Sequence, residues 1–307
     1  MNAASNKKKR VRWALYVMLI PGIAVTLIYS YGPLMGLVIA FQKFDITKGL
    51  FGSPFIGLDN FKYIFNLLDF RRALGNTVYI AACKIVFGLV FPIFVAVLLN
   101  EVRGVKYKRS VQTIIYLPYF VSWVIVAGIF KDILSPSTGI VNNVMTALGF
   151  KSVFFLADPG VFPWVMIITD VWKGFGMGTI IYLAALTAID PNLYEAAAID
   201  GANRFKRMLH ITLPGLTAII VLNATLSLGN VLNAGFDQII NMYSTVVYKT
   251  GDVLDTLVYR VGIQGVRNTL PRYEIATTMG LFKSAVSSCM ICISYYCAYK
   301  FADYRIF

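Results

Sequence analysis

Four charged side chains sit inside otherwise apolar stretches of this chain: Lys84, Asp170, Lys173 and Lys283. A charge in hydrocarbon is costly, so such groups face a cavity, pair with one another or reach back to the interface. Asp170 suits Lys84 or Lys283 as a partner, which leaves cations over. Two chemistries answer the surplus: long side chains snorkelling to the outer interface, or a positive vestibule that favours an anionic solute. A second polar set, Asn223, Ser227, Asn230 and Asp237, recurs on one helical face and extends for about 21 Å. Such a face suits a wet path on which a hydroxylated solute exchanges water hydrogen bonds for protein ones. It equally suits a hydrogen-bonded seam between helices.

Catalytic chemistry has little to work with. No Gly-x-x-x-x-Gly-Lys-Ser/Thr occurs, so the chain lacks a phosphate cradle of its own. His210 is the single histidine, which excludes a Ser-His-Asp set and leaves Cys289-x-x-Cys292 short of ligands for a metal. With Cys83 and Cys297, these cysteines read as small apolar residues of lipid-embedded helices. Gly174-x-Gly176-x-Gly178 lies inside an apolar run and reads as close helix packing rather than a dinucleotide fingerprint.

The elements that must position these groups are membrane helices. Of the 307 residues, 58% are hydrophobic and 14% charged, against about 45–50% and about 25% in soluble domains. The net charge of +13 flanks the apolar runs instead of forming one face, so it reads as a topology signal and not as a nucleic-acid surface. Crossing a core of about 30 Å takes roughly 20 residues. Six runs qualify, near 13–32, 77–99, 112–131, 162–184, 214–236 and 276–299, the first of them too long for a cleaved signal peptide. Lys and Arg are denser in 1–12, 100–111, 185–213 and 300–307 than in the longer alternate segments 33–76, 132–161 and 237–275, which predicts both termini inside. The expected architecture is an all-α integral membrane protein of six spans, a single domain over 13–307 behind a basic N-terminus, 1–12. Aromatics in 33–76 predict a partly packed outer cap, and 252–275 carries one short helix. No internal repeat is visible, which argues against a transporter built on inverted repeats.

The most structured polar segment lies between the fourth and fifth runs. Asp190 caps a helix that opens on Pro191, Glu195-Ala196-Ala197 propagate it, and Gly201 ends it by taking positive φ. Arg204-Phe205-Lys206-Arg207 and Ile211-Thr212-Leu213-Pro214 follow. A short helix, a glycine break and a second anchor make a rigid knob for a partner's groove.

Glu195-Ala196-Ala197, Gly201 and the closing Leu213-Pro214 resemble the EAA loop of ABC importer permeases, whose coupling helix sits in a cleft of the ATPase subunit. The resemblance implies the six-span permease fold of the type I importers, in a bacterial plasma membrane. It implies coupling contacts at Glu195, Ala196, Ala197, Asp200, Gly201 and Arg204, in a loop spanning 190–213. It also implies partners: a second homologous permease, a cytoplasmic ATPase dimer that holds the ATP and Mg, and an extracellular solute-binding protein. No cofactor or metal is expected on this chain. Gly57-Leu58-Asp59-Asn60-Phe61, Asn76-Thr77, Tyr116-Leu117-Pro118 and Asp255-Thr256-x-Val258-Tyr259-Arg260 are similar to the maltose-type carbohydrate permeases, nearest the branch for oligosaccharides from complex polysaccharides. The implied function is import of oligosaccharides, with acidic ones favoured by the surplus lysines. The competing reading is a transporter driven by an ion gradient through Asp170 or Asp237.

Overall fold

The computed structural model describes residues 13–102, 104–265 and 270–302, so the basic segment 1–12 lies outside it. The described chain is helical, with one isolated bridge between Gln42 and Phe55. Helix α1 (Trp13–Thr26) runs on through a π-type turn, Leu27–Tyr31, and 3₁₀ turns, Gly32–Phe41. The change of winding falls where Pro33 removes a backbone donor. Helices α2 (Gly49–Gly52) and α3 (Asp59–Asn66) lead into α4 (Leu68–Glu101), the longest element. Then come α5 (Val105–Phe120), α6 (Trp123–Ile133), α7 (Ile140–Ala147), α8 (Phe162–Leu186), α9 (Pro191–Ile199), α10 (Arg204–Arg207), α11 (Leu213–Gly215) and α12 (Thr217–Leu228). The last part holds α13 (Phe236–Met242), α14 (Tyr248–Gly251), α15 (Leu254–Tyr259) and α16 (Tyr273–Ala302).

Tyr16–Phe41, Leu68–Glu101 and Tyr273–Cys297 are each long and apolar enough to cross a bilayer, and up to six spans result if bent helix pairs count as one. The run expected at 112–131 is not a single helix. α5 and α6 meet at 102° across Val121–Ser122. Pro118 withdraws a donor from the last turn of α5, and the Ser122 hydroxyl accepts from the Ile125 amide at 3.4 Å to start α6. The run expected at 214–236 is interrupted as well: α12 stops at Leu228, and a segment of turns precedes α13.

α4 and α8 lie against each other and form the spine. α8 approaches both neighbours closely: a Cβ on Gly176 would stand 2.0 Å from the Ile115 carbonyl oxygen of α5, and one on Gly178 would stand 3.0 Å from Pro92 Cγ of α4. Gly174 faces open space, so two of the three glycines do the expected close packing. Around the spine, Ile80, Phe162, Met166 and Ile239 form one buried cluster, and Ala96, Tyr182 and Leu216 another toward the α9 end.

At the opposite end, Ile64, Phe70, Leu254, Leu257 and Met279 pack the cap onto α16. Phe65, Phe70 and Phe282 meet edge to face with centroids 5.3–5.7 Å apart, each pair adding about 0.5–1.5 kcal/mol. The 33–76 segment is indeed partly packed: buried Asn60 donates to the Ala40 and Gln42 carbonyls at 2.9 Å, whereas Phe51 is fully exposed. The short helix expected in 252–275 is α15. It is fixed by the Arg260–Asp252 ion pair at 2.6 Å. Burial pushes the Asp252 carboxyl above its usual range against the opposing pull of Arg260.

Candidate functional site: a polar pocket and a capped loop

The break after α12 follows from its residues. Gly229, Asn230, Asn233 and Gly235 are turn formers, and the Asn233 amide donates to the Asn230 carbonyl at 2.8 Å. Gly235 takes φ +92°, and a Cβ there would stand 3.0 Å from Lys84 Nζ. Gly235→Ala is therefore expected to cost about 1–2 kcal/mol from backbone strain alone. The checking measurement is a thermal midpoint in detergent, expected to fall by a few degrees.

A broken helix inside a membrane leaves carbonyls that no water can satisfy. Lys84, reaching from α4, meets this need. Its Nζ donates to the Ala234 carbonyl at 2.7 Å and to Gln238 Oε1, and it stands 3.3 Å from Asp170 Oδ1 on α8. The Gln238 amide nitrogen in turn donates to the Met166 carbonyl at 2.8 Å and to Thr169 Oγ1 at 2.7 Å. α4, α8 and the break are thereby tied at one point. Beside it opens a pocket of about 340 Å³ lined by Lys84, Asp170, Ser227, Asn230, Asn233 and Gly235, with Ala81, Ile85, Gly88 and Ala234. A larger groove of about 550 Å³ between α4 and α8 is walled by Phe87, Phe91, Trp164, Trp172 and other apolar side chains, and offers a hydroxylated solute nothing to bond.

Four of the sequence candidates thus meet in one pocket: Lys84, Asp170, Ser227 and Asn230. Four do not. Asn223 bonds the Ile219 carbonyl of its own helix at 3.0 Å. Asp237 lies on α13, beyond Gly235, so the single 21 Å helical face does not exist; the break that makes the pocket interrupts it. Lys173 donates to the Tyr119 carbonyl at 2.7 Å and lies over the Tyr119 and Trp123 rings, 5.2 and 5.4 Å from their centroids. It satisfies the end of α5 just where the chain turns toward α6, and adds a cation–π contact. Lys283 pairs with Asp255 on α15.

Lys84 pairs with Asp170, one of the two pairings expected, and Lys283 with Asp255, an acid of the cap that was not foreseen. Lys173 is answered by a backbone carbonyl and two rings and has no carboxylate partner among the described residues, so the expected surplus shrinks to one cation. Gln238 and Asn233 were missed, although Asn233-Ala234-Gly235 is a legible turn signal. Cys289 and Cys292 are exposed on α16, and no cluster of three or more metal-ligating side chains occurs among the described residues.

The loop at the other end of α8 is built from local rules. Asp190 accepts from the Asn192 amide at 2.9 Å and Pro191 opens α9. The helix closes with the Ala202 amide on the Ala197 carbonyl at 2.8 Å and the Gly201 amide on Ala198 at 3.1 Å, with Gly201 at φ +75°. These two bonds are a Schellman closure, which satisfies otherwise orphaned carbonyls. Asn203 then caps α10 through the Lys206 amide at 2.8 Å. Tyr194 bonds buried Thr212 at 3.0 Å and so folds α9 back onto the next element. Arg204 stands 4.0 Å from Glu101 with both side chains exposed, a contact worth about 0–1 kcal/mol. Glu195, Ala196, Asp200 and Gly201 face outward with Ile199 and Phe205, which are 87% and 66% exposed. Ala197 is half-buried.

A multi-helix membrane bundle with a polar pocket between its helices and a rigid knob on one connecting loop defines a membrane transport subunit. The chain belongs to the family of binding-protein-dependent transport system inner membrane components, whose model matches residues 88–236. It is 40% identical over 299 residues to Protein LplB of Bacillus subtilis (strain 168), covering 97% of this chain and 92% of that one. It is 37% identical over 294 residues to the polygalacturonan/rhamnogalacturonan transport system permease protein YteP of the same organism, covering 95% and 90%. Among solved structures, a bacterial ABC transporter involved in the import of the acidic polysaccharide alginate contains a chain 39% identical to this one. It superposes with a TM-score of 0.85 over 94% of this chain and 96% of that one. Another structure of an alginate transporter, in complex with an alginate pentasaccharide-bound periplasmic protein, gives 0.84.

Proposed function

We propose that this chain is the permease subunit of an ATP-driven importer of oligosaccharides, acidic ones among them. The observation that carries this reading is the Schellman-closed α9 with its outward Glu195, Ile199 and Gly201. It is a stiff, partly apolar knob whose outward face meets no other element among the described residues, shaped for a groove on an ATPase. The relatives that transport polygalacturonan or alginate support an acidic substrate; the lysines no longer do. In this reading the chain crosses the membrane six times with both termini and 190–213 inside. A second permease completes the pathway, an extracellular binding protein delivers the saccharide, and two ATPase subunits hold ATP and Mg. Closure of the ATPase dimer pulls on α9, and α8, continuous with it through Thr187–Asp190, carries the displacement to the pocket.

Topology is tested by single cysteines in a background lacking Cys83, Cys289, Cys292 and Cys297. With a membrane-impermeant maleimide on intact cells, Ser244→Cys is labelled and Asn192→Cys is labelled only after permeabilisation. Labelling of both from one side overturns the arrangement. In proteoliposomes of the assembled complex, uptake persists when ion gradients are collapsed and stops without ATP. The opposite pattern supports the ion-gradient reading through Asp170 or Asp237.

A further inference from the structure

We propose that Lys173 is a positioning residue of the transport cycle: it pins one end of α5 to α8, and α5 swings about that pin while α6 stays fixed. The proposal rests on the oligosaccharide-import reading and names a pivot within it.

The two halves of the bent α5–α6 pair are held unequally. α6 is anchored. Val126 and Ala127 are buried, Ala127 in one cluster with Ile239 and Met242 of α13, and Phe130 meets Trp172 of α8 edge to face at 5.4 Å. None of the 16 residues of α5 is buried. Its principal neighbour is α8, and at the closest approach Gly176 offers bare backbone to the Ile115 carbonyl. A glycine presents no ridge to lock into a groove, so this contact permits rotation. Among the described residues, the bond from Lys173 Nζ to the Tyr119 carbonyl at 2.7 Å is the only hydrogen bond that ties α5 to another element.

That bond sits where a pivot belongs. Val121 and Ser122 are both extended, with ψ 136° and 152°, and form a two-residue link between helices that meet at 102°. Hinges are a few element-terminal residues that absorb changes in φ and ψ. Lys173 lies over the rings of Tyr119 and Trp123, one on either side of the link. Its ammonium is a compact charge with three rotatable donors, so α5 can turn about it without losing the bond or the rings. α8 continues into α9, so a displacement of α9 reaches the pin along one helix. The far end of α5, at Val105, stands about 21 Å from the pin and has the longest arm.

The test uses the full complex in proteoliposomes, with pairs of spin-labelled cysteines in the background lacking the native ones. Tyr107→Cys with Ile168→Cys reports the far end of α5 against α8, and Leu117→Cys with Ile168→Cys reports the pinned end; all three side chains are more than half exposed. Between the nucleotide-free complex and one trapped with ATP and vanadate, the far pair is expected to shift by more than the width of its distribution, and the near pair to stay within its own. Lys173→Met is expected to broaden the near-pair distribution and to lower uptake about tenfold, the loss of one charge-assisted hydrogen bond. ATP hydrolysis is expected to fall far less, so more ATP is hydrolysed per saccharide. Lys173→Arg, which keeps the donors and the ring contacts, is expected to retain the narrow distribution and most of the uptake. Equal shifts of both pairs, no shift of either in a complex that takes up saccharide, or an unchanged near-pair width in Lys173→Met overturn the proposal. Parallel loss of uptake and ATP hydrolysis in Lys173→Met marks a merely structural residue and overturns it too. Absence of ATP-driven uptake by the unmodified complex overturns the import reading, and the near-pair width in Lys173→Met then still decides the pin.

Discussion

Gly201→Asp is expected to leave the protein in the membrane at its normal level while abolishing uptake by the assembled transporter. No clash is involved: a Cβ at residue 201 meets open space within 4 Å. The cost is conformational. Gly201 sits at φ +75°, which penalises an L side chain by about 1–2 kcal/mol, and a carboxylate at a helix C-terminus opposes the dipole by about 0.3–1 kcal/mol. Both terms bear on the closure that holds Ile199 and Glu195 in place, and the new side chain projects from the outward face. Recovery of ATPase subunits with the tagged permease and uptake per permease are the two measurements, and both are expected to fall together. Gly201→Asn, which tolerates left-handed backbone, is expected to retain part of each. Normal uptake by Gly201→Asp at normal expression would end the assignment of this loop as the coupling element. Glu195→Lys, reversing charge on the same exposed face, is expected to weaken association without altering the fold.

Lys84→Met is expected to lower stability by about 1–3 kcal/mol, because it strands the Ala234 carbonyl and Gln238 Oε1 and leaves Asp170, 35% exposed on the pocket, without its ion pair. Uptake of acidic and neutral oligosaccharides falls alike. A positive vestibule would instead have the variant lose acidic substrates selectively, and that outcome would restore the cationic reading. The double variant Lys84→Met with Asp170→Leu removes the stranded charge. It is expected to regain much of the thermal midpoint, since no buried charge is then left without its partner.

What could be read from the sequence divides along physical range. The loop at 190–213 was legible because each of its signals acts within one or two helical turns: Asp190 on Asn192, Gly201 on Ala198 and Ala202 on Ala197, Asn203 on Lys206. The helical, membrane-embedded fold was legible because hydrocarbon admits few alternatives. The breaks at Val121–Ser122 and Gly229–Gly235 were hidden by averaging: a hydropathy window registers apolarity and not direction, so Pro118 and the Asn230–Gly235 turn formers were absorbed into spans. The same smoothing produced a polar face running from Asn223 to Asp237 across a helix that stops at Leu228. The lysines were read only in part, for the opposite reason. Lys84 and Ala234 lie 150 positions apart, and the decisive acceptors on Ala234 and Tyr119 are backbone carbonyls, which every residue carries and no sequence pattern marks.

The clasp at Lys84 also constrains how the protein is made. α4 leaves the ribosome long before Ala234 and Gln238 exist, and well before Asp170. For that interval its ammonium enters the bilayer unanswered. A lysine at the centre of a helix costs about 3 kcal/mol on insertion, and each Leu, Ile, Phe or Val returns about 0.3–0.6 kcal/mol. The stretch Ile85-Val86-Phe87, Leu89-Val90-Phe91, Ile93-Phe94-Val95 and Val97-Leu98-Leu99 supplies more than enough to carry the charge in alone. The apolarity of α4 is thus sufficient for the helix to hold its lysine in the membrane until the later segments arrive to pair with it.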